Sequence, residues 1–139
     1  MTWNTEKQAV RTILERHLNG DSADLCMRYF EVVKSVDAVA QGDAHLWTIP
    51  KAYTDILTGF IGNKFFEQHK SYLIPSMVHG LVAWVDGVGQ LKDTGLSEEA
   101  QVAAHMSRRQ FHEVACMCAT LLGRDASPIR KELTDVKTL

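Results

Sequence analysis

The sequence predicts an all-α protein, an antiparallel helical bundle of about five main helices followed by a short C-terminal helix. Three observations carry this. Apolar residues recur at spacings of three and four along most of the chain. The segments so marked are separated by short stops at Asn19-Gly20, Gly42-Asp43 and Gly62-Asn63. No segment alternates apolar and polar residues as a half-buried strand does. The connections are short, which favours antiparallel neighbours. The 139 residues form one domain, 1–139, with 124–139 a loosely attached C-terminal segment.

The first helix, roughly 5–19, follows from Ala9, Val10, Ile13, Leu14 and Leu18 behind the capping candidates Asn4 and Thr5. A second starts at Asp21-Ser22 and runs to about Gln41. Its two adjacent rows, Leu25, Tyr29, Val32, Val36, Val39 and Cys26, Phe30, Val33, Ala40, form a broad apolar face. Pro50 suits the first turn of a third helix whose buried face is Ala52, Tyr53, Ile56, Leu57, Phe60 and Ile61. A short helical turn over 64–70 brings Phe65 and Phe66 inward. A fourth helix begins at Ser71, with Pro75 in its first turn, and Leu73, Met77, Val78, Leu81, Val82, Val85 and Val88 carry it to about Gly95. Gly80, Ala83 and Gly87 form a strip where another helix can approach closely.

Ser97 with Glu98 and Glu99 starts the fifth and longest helix, because a hydroxyl caps free N–H groups and carboxylates favour the positive end of the dipole. Its apolar face extends from Ala100 to Leu122. Ser127-Pro128 opens the short terminal helix. The predicted core contains Phe30, Val33, Phe60, Leu81, Val85, Phe111 and Leu122.

An apolar fraction of 45% with 23% charged residues is that of a globular chain and argues against disorder. Net charge is −2, with eight basic and nine acidic residues up to Lys70, then seven and eight beyond it. Neither half is a basic footprint, which disfavours nucleic acid as a partner. Cys26, Cys116 and Cys118 have no disulfide-framework spacing and read as reduced, buried thiols. With no apolar run of membrane-spanning length and no leader-like start, no membrane role and a cytoplasmic location are expected.

Phosphate-loop and dinucleotide glycine patterns, a nucleophile elbow, a HExxH helix and a CxxC pair are all absent from the sequence. No histidine has a glutamate three residues before it, as the paired motifs of a di-iron bundle require. Candidate ligand-binding positions are therefore polar residues in or beside apolar rows. Asp37 interrupts the row Phe30, Val33, Ala40, where a carboxylate needs a partner. A structural pair with Arg108 is one reading, and a divalent-metal site with Asp43, just past the end of the same helix, is the other. His79 and Asp86 lie on one side of the fourth helix, two turns apart. His105, Arg108 and His112 share a row that could bind an anion, although arginines beside an apolar stripe are commonly solvated.

The order of Gly42-Asp43, Asn63-Lys64-Phe65-Phe66, Leu81-Val82-Ala83-Trp84 and Arg108-Arg109-Gln110-Phe111-His112-Glu113-Val114 resembles small helical proteins of tailed bacteriophages and prophages from about Tyr29 to Gly123. Such proteins often carry a second acid beside the position of Asp37, where this chain has Val36 and Ala38. The resemblance implies a mobile-element origin and a helical fold, with no activity to transfer. The resulting expectation is a non-catalytic protein that binds a host or phage protein, without cofactor, and for which a homodimer is also open. The alternative is a binder or hydrolase of a small phosphorylated ligand. It would hold Mg²⁺ on Asp37 and Asp43, with Asp86 a further acid and Arg108, His79 and His112 on the anion.

Overall fold

A computed structural model describes residues 3–91, Gly95, 97–107 and 109–136. Its helices are α1 (Trp3–His17), α2 (Gly20–Gln41), α3 (Thr48–Gly59), α4 (Lys64–Leu91), α5 (Glu98–Ser107), α6 (Gln110–Leu121) and α7 (Ser127–Thr134). Among the described residues there is no strand, and no helix is long and apolar enough to cross a membrane.

α2 is the central element, packed by α1, α3, α4 and α6. Asn19 caps it by accepting from the Ser22 amide at 2.9 Å while Ser22 Oγ accepts from the Asn19 amide at 3.1 Å. Gly42, at φ 79°, ends it in the left-handed conformation that glycine adopts without strain. Its core face, Leu25, Cys26, Tyr29, Phe30 and Val33, is buried against α1, α4 and α6. Phe111 of α6 lies 5.2 Å from Phe30 and stacks on Tyr29 at 6.2 Å. Tyr29 donates its hydroxyl to the Met77 carbonyl at 2.9 Å. A Cβ on Gly80 would collide with that hydroxyl, so glycine is what lets α4 approach α2 so closely.

α4 parallels α2, with Asn63 beside Asp21, Met77 beside Tyr29 and Trp84 beside Asp37. It is one helix from Lys64, where a short turn and a separate helix from Ser71 were expected. Asn63 supplies the start, accepting from the Phe66 amide at 2.9 Å. Pro75 then falls inside the helix. Its ring and the neighbouring Ser71 both lie in the exposed surface, where water can satisfy the carbonyl that proline leaves unpaired. Burial of Phe65, Phe66, Leu73 and Met77 on both sides of Pro75 holds the helix continuous.

The expected long fifth helix is two, α5 and α6, broken at Arg109 (φ −103°, ψ 17°). No glycine or proline marks the break. It lets α5 lie against α4 while α6 reaches α2, α4 and α7, and α4 is therefore the longest helix. Ile129 and Leu133 seat α7 in the core, and Glu132 ties it to Arg16 and His17 at 2.6 Å each. Of the predicted core, Phe30, Val33 and Phe111 are buried, while Phe60, Leu81 and Leu122 are partly buried against it. Val85 is 46% exposed, a correction whose cause lies in the geometry of α3 and α4.

Candidate functional site

α3 runs antiparallel to α2, since Asp55 meets Arg28 and Lys51 meets Glu31. α3 and α4 therefore both lie on α2 in opposite directions, each using only part of its apolar surface there. On α3, Thr48 and Asp55 are buried, whereas Ile49, Tyr53 and Leu57 remain exposed. On α4, Leu73, Met77, Trp84 and Val88 are buried, whereas Ile74, Val78, Val82 and Val85 remain exposed. At 100° per residue the second set falls on the flank that carries Leu81.

Leu81 faces Ile49, Ala52, Tyr53 and Ile56 across a groove of about 260 Å³ floored by Val32, Val36 and Val39 of α2. Phe60 packs on Phe66, with ring centroids 5.4 Å apart, where the chain turns from α3 to α4. The lining of the groove carries no charged side chain. Exposed Leu46 and Trp47 lie just before the start of α3.

The predicted polar residues do not assemble into one cavity. Asp37 is partly buried, as its place in an apolar row suggests, and it accepts from the Trp84 indole N–H at 2.8 Å. That partner is a neutral donor on α4. Arg108, the expected cation, lies outside the described residues. Asp43 is exposed just past Gly42, where its amide donates to the Ala38 carbonyl at 2.8 Å. Asp86 is exposed on α4. Among the described residues no three His, Cys, Asp or Glu side chains cluster as metal ligands would.

His79 and His112 do come to one neighbourhood, on adjoining grooves of about 430 and 240 Å³ that share Gln110, Glu113 and Arg130. His79 is exposed, whereas His112 is only 4% exposed and its Nε2 has no partner among the described residues. Burial, reinforced by Arg109 and partly opposed by Glu113, lowers its pKa to about 4. The imidazole is therefore neutral near pH 7 and adds no charge for an anion. Glu113 also occupies Arg130, at 2.8 Å.

The sequence reading missed a larger, charged cleft of about 690 Å³ between α1, α2 and the α3–α4 turn, lined by Lys7, Arg11, Asp24, Arg28 and Glu31. Its charges are largely matched by one another and by α3. Glu31 pairs with Lys7 and with Lys51 at 3.4 Å, Lys51 with Asp55 at 2.7 Å, and buried Asp55 with Arg28 at 3.0 Å. Burial would raise the Glu31 pKa, but Lys7 and Lys51 more than offset it and hold the carboxyl below its ordinary value. The Lys51–Asp55 spacing of four was the one signal of this network in the sequence.

The fold and this surface define an all-α bundle presenting an apolar groove between two antiparallel helices. No protein-family model, curated protein or solved structure matches the chain.

Proposed function

We propose that this protein acts by binding another protein through the α3–α4 face, without catalysis of its own. The observation that supports this reading is a groove with no charge in its lining, to which α3 gives exposed Ile49 and Tyr53 and α4 gives Leu81, beside the exposed Ile74, Val78, Val82 and Val85 on the same flank of α4. Exposed apolar side chains scattered singly are ordinary, whereas a contiguous apolar face of this extent on a small protein marks a docking surface. Two helices flanking an apolar trough are also the geometry by which proteins receive an amphipathic helix. The partner is taken to be a phage or host protein, which rests only on the resemblance of the chain's short motifs, in their order, to those of phage and prophage proteins.

Val78→Asp and Leu57→Asp test the reading, because both positions are exposed and the variants should fold. A partner captured from phage-infected cells by the wild type, then purified, should bind in titration calorimetry with the negative heat-capacity change of apolar burial. Both variants should lose that binding. Equal binding by wild type and variants would move the function off this face. A several-degree thermal shift with Mg²⁺ and inorganic phosphate would favour the small-ligand alternative.

A further inference from the structure

We propose that a second copy of this chain covers the α3–α4 face, so that the protein is an isologous dimer until another protein takes its place. The proposal rests on the reading of that face as a protein-docking surface and names its first occupant.

The first argument is spacing. Ile74, Val78, Leu81 and Val85 follow one another at four, three and four residues along the flank of α4 that α2 does not cover. That is the seam by which one helix packs lengthwise on another. The seam spans three turns, or roughly 17 Å. Among the described residues nothing covers Ile74, Val78 and Val85, which stay about half exposed, and α3 meets Leu81 only across the groove.

The second argument is area. The three exposed apolar side chains of α3 and four of α4 are each about half exposed. At on the order of 100 Å² apiece, they leave roughly 700 Å² of apolar surface to water. A stable dimer buries about 800 Å² per partner, while the largest apolar patch on an ordinary monomer is about 300–600 Å². The face is thus close to the size that pairing with itself requires.

The third argument is charge. A two-fold axis sets residue i against j and j against i, so a like-charged face would repel its own copy. This lining carries no charge.

Sedimentation equilibrium on the full chain tests this. The wild type should be a dimer that dissociates in the micromolar range, with a thermal midpoint that rises with concentration. Val78→Asp or Val85→Asp should raise the dissociation constant ~100-fold or more, because each buries an unpaired charge at the seam. Circular dichroism of the monomeric variants should remain that of the wild type. A wild type monomeric to ~500 µM overturns the dimer, as does a dimer indifferent to both Asp substitutions. If that monomer still loses an identified partner on Val78→Asp, the docking face stands and only its occupant was wrong. A dimer that dissociates on Val78→Asp but binds no other protein overturns the hetero-partner and keeps this inference.

Discussion

His112 should make the protein acid-sensitive between about pH 6.5 and 4. It is buried on α6, with Arg109 and Arg130 close enough to disfavour a further positive charge, and its Nε2 has no partner among the described residues. Unfolding returns the imidazole to water, where its pKa is 6.5, from a folded value of about 4. Between these values the unfolded chain binds the proton and the folded chain does not, so stability rises with pH. The contribution is fully present above about pH 6.5 and is lost as pH falls through about 4, and the displacement corresponds to roughly 3 kcal/mol. Glu31 has a lowered pKa and adds acid sensitivity of the same sign, but below the ordinary carboxylate range. Urea unfolding of wild type and His112→Phe at several values between pH 7.5 and 4.5 separates the two effects. Near pH 7 the substitution should cost little, because it removes a buried polar atom that has no hydrogen bond. At pH 4.5 the wild type should have lost ~2 kcal/mol more than the variant. Parallel pH profiles would show that His112 is not the neutral, buried group described here.

Gly80→Ala should cost ~1–3 kcal/mol through the clash with the Tyr29 hydroxyl. Tyr29→Phe in the same chain should recover part of that loss in thermal denaturation; strictly additive effects would mean the contact is not the cause. Leu73→Ala, at a fully buried site, should cost ~2–5 kcal/mol, whereas Val85→Ala should change the monomer by less than ~0.5 kcal/mol. Equal costs in the monomer, measured in a Val78→Asp background, would contradict the exposure of Val85. Trp84→Phe should cost ~1.5–3 kcal/mol in chemical denaturation by removing the indole donor to the Asp37 carboxylate; a cost below ~0.5 kcal/mol would mean that this hydrogen bond does not hold α4 to α2.

The parts of the fold legible in the sequence were those decided within a few residues. Gly42 as the end of α2, Ser127-Pro128 as the start of α7 and Ser97 as a cap all rest on local chemistry, and Ser97 Oγ does accept from the Ala100 amide at 3.2 Å. The continuity of α4 and the break at Arg109 are tertiary. Pro75 costs ~3 kcal/mol in a helix interior, a penalty that decides the matter only when little else is gained. Here Phe65, Phe66, Leu73 and Met77 are all buried on the same helix, and their combined burial exceeds it. Arg109 has the opposite character, since nothing in its neighbours' chemistry ends a helix and only the separate packing of α5 and α6 requires a turn there.

The candidate site was hard to read for a related reason. Asp37 does stand out in an apolar row, but periodicity pairs residues only along one helix, and its partner Trp84 lies 47 residues away on another. The apolar face was visible throughout as a pattern yet was assigned to the core. Val78, Val82 and Val85 keep the helical period as well as Leu73, Met77 and Val88 do, because burial within a chain and burial between chains select the same side chains. What distinguishes them is the width of the arc. On α4 the apolar positions from Leu73 round to Val82 cover about half of the circumference at 100° per residue. α2, α5 and α6 pack on α4 and leave the flank carrying Ile74, Val78 and Val85 exposed, while α3 stands back across the groove. An arc wider than the chain's own helices cover is the feature on which the proposed docking surface rests, and it can be read from sequence once the neighbours of each helix are known.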